Sequence, residues 1–268
     1  MIRIAEALGV SRPHLAANKP AKPRERYAKQ GDATLLARIR TIADARPSYG
    51  YRRVTARLNR EEPDNRVNHK RVYRVMKQAG LLLARYGKKP TLTHEGTVIT
   101  LASDMRWCSD MFELRCWNGE KVHVAFSLDC CDREVIAWVA ADRHLDSRDV
   151  RDIMAQSVEA RFCGTRTPHP IEWLSDNGPP YTANDTRSFG AACGLLVRTT
   201  PAYSPESNGM AEALVKTFKR DYAYLADLPD ARTVLAQVGG WFEDYNEHHP
   251  HKGLKMLSPK EFRRARSA

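Results

Sequence analysis

Three carboxylates stand out among the residues of this 268-residue chain that could do chemistry: Asp110 in RWCSDMFEL, Asp176 in LSDNGPPY and Glu212 in NGMAEALVK. Asp176 follows Asp110 by 66 positions, and 35 residues lie between Asp176 and Glu212. A carboxylate directly before an Asn-Gly pair, as in Asp176-Asn177-Gly178, serves either as a turn residue or as a group held at a strand tip for chemistry. Hard divalent cations take oxygen ligands, and Mg²⁺ accepts one or two protein carboxylates while water and substrate phosphate oxygens fill its other positions. A pair of such ions about 3.5–4 Å apart activates the attacking oxygen and stabilises the leaving oxygen of an in-line displacement at phosphorus. Three carboxylates brought together repel and raise one another's pKa values, so a cation is expected among them.

The elements that must position these groups are legible in the hydrophobic periodicity. Alternation predicts three strands, at 106–116, 121–129 and 133–141, joined by the turns WNGE and CCDR and pairing as an antiparallel meander. SRDVRDIMAQSVEARF predicts an amphipathic helix capped by Ser147, then IEWLS a short buried strand, 184–193 a short helix and GLLVRT another strand. After Gly209, the residues Ala211, Leu214, Val215, Phe218, Tyr222 and Leu225 form the core stripe of a long helix. Glu212, Lys216 and Lys219 lie about 100° around that helix, where a solvated Glu–Lys pair is the simplest reading of Glu212 and Lys216 alone. Asp110 then lies inside the first strand, Asp176 ends the fourth and Glu212 begins the last helix. If the first and fourth strands are neighbours, the three converge at one edge of the sheet. Three strands, helix, strand, helix, strand, helix is the element order of a ribonuclease H-like α/β domain.

Charge divides the chain differently. The formal net charge is +11, but residues 1–90 hold 22 Lys+Arg against 7 Asp+Glu, whereas residues 91–268 hold 21 against 25. A basic excess confined to one end points to a polyanionic partner such as nucleic acid or an anionic membrane. Residues 2–17 carry a helix-turn-helix pattern, with Arg12 beside a potential cap at Ser11, and a short helical hairpin is the plainer alternative. The chain starts where the second helix of such a unit is expected, so the upstream helix is expected to be missing or carried on another polypeptide. Residues 18–32 read as a linker, followed by two more helical stretches, 35–62 and 65–86, with Leu35, Ile39 and Ile42 on one face and Val72, Val75 and Met76 on another. Arg52, Arg53, Arg71 and Arg74 fall between these apolar positions and predict a cationic outer face for the DNA backbone. The expected domains are a basic all-helical region at 1–90, a catalytic core at 91–228 and a helical extension at 229–268. No apolar run approaches the length of a membrane span, and the six cysteines lack any C-x-x-C pair, so cytosolic, reduced thiols serving as core filler are expected.

Taken together and in order, these motifs resemble the retroviral-integrase-like transposases encoded by the second reading frame (OrfB) of a group of bacterial insertion sequences. YGYRRV and NHKRVYRVMKQAGL are similar to that family's helix-turn-helix segment. RWCSDMFEL, LSDNGPPY and SPESNGMAEALVKTFK are similar to the stretches that carry its two Asp and its Glu, and WFEDYNEHHPHKGLKMLSPKEF to its ending. The resemblance implies that Asp110, Asp176 and Glu212 are a metal-binding catalytic triad using two Mg²⁺ ions, with Mn²⁺ as substitute. It further implies that Lys216 and Lys219 steer the transposon-end DNA and that strand transfer by a freed 3′-hydroxyl follows end cleavage. The expected partners are DNA, other copies of the chain assembled on it, and the first-reading-frame (OrfA) product. A bacterial, nucleoid-associated location is expected.

Rival readings remain at this level. One is a catalytically silent helix-turn-helix regulator or accessory protein carrying an integrase-like domain, and another is a ribonuclease acting on RNA–DNA hybrids. Asp129 and Asp132 in SLDCCDRE could flank the site, although a turn explains Asp132. The HHPH segment at 248–251 reads as scattered surface histidines, and SPESNG, before Glu212, as a mobile loop.

Overall fold

The computed structural model describes residues 28–84, 100–200 and 208–267. The pattern at 2–17 with Arg12, and most of the SPESNG segment, lie outside the described residues.

Helices α1 (Asp32–Ala45), α2 (Tyr51–Glu61) and α3 (His69–Gln78) form the N-terminal unit. The sequence read 35–62 as one helical stretch, yet it breaks at residues 46–50. Pro47 offers no N–H there, and the N–H of Tyr49 turns back to the carbonyl of Arg46 at 2.9 Å. The break lets α1 and α2 close on α3. Leu35, Ile39, Ile42, Val54, Leu58, Val72, Val75 and Met76 then share one small core. Asn68 caps α3 by accepting from the N–H of Lys70 at 2.8 Å.

The rest is built on a five-stranded sheet: β1 (Arg106–Arg115), β2 (Lys121–Asp129), β3 (Val135–Ala141), β4 (Ile171–Ser175) and β5 (Leu195–Thr199), in the order β3-β2-β1-β4-β5. The first three pair as the expected antiparallel meander, while β4 and β5 run parallel to β1. Period-2 alternation sends Trp107 of β1 and Ile171 and Trp173 of β4 to one face, where helix α4 (Ser147–Phe162) covers them with Val150, Ile153, Met154 and Val158. Cys108, Phe112 and Leu114 point to the other face, which is covered by α7 (Gly209–Asp221) and α8 (Ala231–His248) through Ala211, Leu214, Phe218, Val234, Val238 and Phe242. Short helices α5 (Pro179–Thr182) and α6 (Asn184–Ala192) link β4 to β5, and α9 (Pro259–Ser267) ends the described chain.

Local details depart from the sequence reading. The cap of α4 is Asp146, which takes part in a capping box with Asp149; Ser147 is already helical. Helix α7 stops at Asp221, so the stripe holds as far as Tyr222, which is buried, but Leu225 lies in a following 3₁₀ turn and is 47% exposed. Four of the six free cysteines are buried, whereas Cys163 is exposed at the left-handed C-cap of α4.

The N-terminal unit is seated against the far end of α7 and the C-terminal helices. Arg46 donates to the carbonyl of Asp221 at 2.9 Å and to the Asp244 carboxylate at 2.6 Å. Ser48 donates to the Asp221 carboxylate, and Arg60 forks onto Glu261.

Candidate active site

Asp110 and Asp176 sit on neighbouring strands of the sheet. Asp110 shares the parity of Cys108 and Phe112, so its side chain faces α7. On β4, Leu174 packs against the core under α7 while Trp173 packs under α4, and Asp176 has the parity of Leu174. The parallel pairing of β1 with β4 runs Arg106↔Glu172, Trp107↔Trp173 and Cys108↔Leu174. Asp176 directly follows the last residue of β4, while Asp110 lies two residues beyond the last paired position of β1.

The third carboxylate arrives on α7. Asn208, the residue before that helix, is buried and donates from Nδ2 to the carbonyl of Ser109 at 3.1 Å. The start of α7 is thereby tied to the residue preceding Asp110, and Glu212 lies in its first turn. Asn177 anchors the neighbouring turn, donating to the carbonyl of Thr200 at 2.7 Å, and Asp176 Oδ1 accepts from the Gly178 N–H at 3.0 Å. A Cβ at Gly178 would lie 3.0 Å from that oxygen, a tight contact that the Asp176 side chain would have to relieve. Below the site, Tyr181 is buried with its hydroxyl 2.9 Å from Ser109 Oγ. The supporting roles of Asn208, Asn177 and Tyr181 were not apparent in the sequence, because each acts through a partner distant along the chain.

The electrostatics record this proximity. Burial pushes the Asp110 carboxyl up to about 6, the Met111 N–H works in the opposite direction, and the charges of Asp176 and Glu212 raise it further. The donor chemistry, carboxylate oxygens alone, suits a hard divalent cation. The oxygens themselves are not drawn together, however. Among the described residues no three His, Cys, Asp or Glu side chains gather closely enough to hold an ion. Glu212 pairs with Lys216, 2.9 Å away, and Asp176 accepts from Gly178 within its own tight turn. Like-charge repulsion gives a reason for both orientations.

The other sequence candidates fall elsewhere. Lys219 lies over the Phe112 ring, 5.6 Å from its centroid, on the α7 side of the sheet. Arg53 is not on an outer face: it is half-buried, over Tyr49 and 3.7 Å from the fully buried Asp221. Arg71 and Arg74 both pair with Asp32, at 2.9 and 2.8 Å, and Arg52 is exposed against Tyr51. Asp129 is fully buried and accepts from the N–H groups of Asp104, Cys131 and Asp132, while Asp132 pairs with Arg161; both are structural. His249 and His251 are also buried, contrary to the surface reading, and pack with Tyr49 and Tyr245.

A mixed sheet with a 3-2-1-4-5 strand order, helices on both faces and carboxylates at the β1, β4 and α7 positions defines a ribonuclease H-like core of the integrase and transposase class. Residues 29–89 match the HTH-like domain family, and 102–205 and 194–259 match integrase core domain families. The chain is 46% identical over 241 residues to transposase InsD of insertion element IS2 from Escherichia coli, covering 88% of this chain and 80% of InsD. It is 55% identical over 175 residues to an uncharacterised protein of insertion element IS136 from Agrobacterium fabrum, covering 65% of this chain and 90% of that one. Among solved structures, it resembles a chain of the simian T-cell lymphotropic virus intasome in complex with PP2A regulatory subunit B56 gamma. That likeness has a TM-score of 0.52 at 14% identity and covers 78% of this chain and 73% of the other. The chain belongs to the insertion-element transposases that join an HTH-like domain to an integrase core.

Proposed function

We propose that this transposase hydrolyses a phosphodiester at an insertion-sequence end and then directs the freed 3′-hydroxyl at a second phosphodiester, with no covalent protein intermediate. Asp110 and Asp176 would hold a pair of divalent cations, with Glu212 as a further carboxylate ligand. When bound, Mg²⁺ or Mn²⁺ supplies activation of the attacking oxygen and charge stabilisation of the leaving oxygen. The chain's own contribution is positioning. Asn208 fixes the start of α7 against β1, Asn177 fixes the turn after β4, and Lys216 and Lys219 present cations along α7 to the incoming strand.

In the N-terminal unit, α3 meets DNA through its solvent face, where Lys70, Tyr73 and Lys77 are exposed. Arg71 and Arg74, committed to Asp32, brace that helix. Other copies of the chain assemble on the DNA ends, and the first-reading-frame product joins in end recognition. No helix among the described residues is long and apolar enough to cross a membrane.

The observation that supports this reading is that the charges of Asp176, after β4, and Glu212, in the first turn of α7, both act on the half-buried Asp110 of β1. Incubating the purified chain with duplex DNA containing an element end, in Mg²⁺ or Mn²⁺, tests it. Nicking at the element boundary, lost in Asp176→Asn while DNA binding persists, is expected. Normal nicking by Asp176→Asn would refute the site. Binding without nicking by the wild-type chain, even with the first-frame product added, would favour an accessory DNA-binding protein.

A further inference from the structure

A second cationic site lies where the N-terminal unit meets the C-terminal segment. A cavity of about 570 Å³ opens between α2, the α2–α3 connection and residues 255–261. Its lining includes Arg52, Arg66, His69 and Lys255, together with Ala56 and Leu257. Glu261 is the acidic residue in its wall, and it is already bonded to Arg60 and to the N–H of Ser258. Arg66 and Lys255 are exposed and have no acidic partner among the described residues. The cleft therefore carries unbalanced positive charge on two parts of the chain nearly 190 residues apart.

Two features show that this wall is built rather than incidental. Lys255 and Met256 are consecutive non-glycine residues with left-handed backbone, at φ of 55° and 68°, a conformation that side chains disfavour. The turn is held there by His251, whose carbonyl accepts from the N–H of Leu254 at 3.1 Å and of Met256 at 2.8 Å. The cleft is also continuous with the outer face of α3. Tyr73 meets the Tyr51 ring at 5.1 Å, and Tyr51 stacks on His69 at 6.3 Å.

We infer that this cleft binds the phosphodiester backbone of the DNA whose groove α3 enters, so that the C-terminal turn at Lys255 is a DNA contact in its own right. The inference rests on the transposase reading and extends it to a surface shared by the HTH-like unit and the C-terminal segment. A strand leaving α3 passes Tyr73 and His69 and meets Arg66 on one wall and Lys255 on the other. Charge-to-phosphate contacts of this kind add affinity without sequence preference and respond to salt.

The test uses the full-length chain and a duplex oligonucleotide carrying one element end, with fluorescence anisotropy measured over a range of salt. Arg66→Ala and Lys255→Asn are each expected to weaken binding and to lower the slope of log affinity against log salt by about 0.9, the value for one phosphate contact. Asn is used at Lys255 because it tolerates left-handed backbone, and thermal melting confirms that the variant is folded. Arg148→Ala, an 80% exposed arginine on the α4 face of the sheet, is the control. Variants at Arg66 and Lys255 whose slopes match that control, in a chain that binds and nicks normally, would overturn the cleft and leave the transposase reading standing. A wild-type chain that neither binds nor nicks end DNA would overturn both.

Discussion

Asp110 lies within β1 and Asp176 directly follows β4, the parallel neighbour of β1, and the charge of Asp176 helps to raise the Asp110 carboxyl. Each carboxylate is held on a short side chain from its own backbone position, so a longer side chain at either position displaces its oxygens by a carbon–carbon bond. Asp110→Glu is therefore expected to fall by about 10²-fold or more in end cleavage, since misplacement of about 1 Å costs that much. Asp110→Asn is expected to lose cleavage altogether. Single-turnover cleavage assays check both, and an Asp110→Glu variant with wild-type rate would count against the assignment.

Asp221 ties the catalytic helix to the N-terminal unit. It is fully buried, takes hydrogen bonds from Ser48 and Arg220, and faces Arg53 at 3.7 Å. Asp221→Ala leaves Arg53 and Arg220 without their shared counter-charge, and removing one partner from such a buried network costs about 3–5 kcal/mol. Arg53→Ala leaves Asp221 still bonded to Ser48 and Arg220, so a smaller loss is expected. Denaturant melts of the two variants give the ranking, and the reverse order would remove Asp221 from the centre of the network.

His249 and His251 make stability depend on pH. Burial, followed by the charge of neighbouring groups, holds His249 well below its ordinary value and His251 at about 3. In the fold they stay neutral, whereas the unfolded chain takes up protons near pH 6.5. Their contribution is intact above that pH and is lost as pH falls toward 3, at up to about 1.4 kcal/mol per pH unit for each group. Asp110 and Asp129, pushed up to about 6, act in the opposite sense, because the fold binds their protons before the unfolded chain does. Comparison with His251→Gln separates the two. The drop in melting temperature from pH 7 to pH 5 should be smaller in the variant, and an equal drop would exclude His251 as a contributor.

Gly194 precedes β5 at a φ of +84°, and an added Cβ would collide with Thr167 Oγ1. That hydroxyl is itself bonded to the Gly194 carbonyl at 3.1 Å, so it is not free to swing away. Gly194→Ala is expected to destabilise the chain by more than about 1 kcal/mol. Equilibrium unfolding provides the check, and an unchanged midpoint would show that the β4–β5 connection yields easily.

Short-range regularities in the sequence determined a good deal. The alternation in β1 and β2, the apolar stripe from Ala211 to Tyr222 and the Asp-Asn-Gly turn depend on neighbours within a few positions, and the strand and helix assignments followed from them. The three carboxylates could be assigned to elements for the same reason. Tertiary structure decided the rest, since its determinants are partners far along the chain. Arg53 turns inward because Asp221 waits there, Arg71 and Arg74 close on Asp32, and His249 is buried because Tyr49, 200 residues earlier, packs against it. Only the packed chain could show Asn208 fastening α7 to Ser109, whereas the Glu212–Lys216 pair is local to one helix and legible in the sequence. Residue types and spacing specify which groups can meet, whereas burial and competition for opposite charge determine where each side chain points.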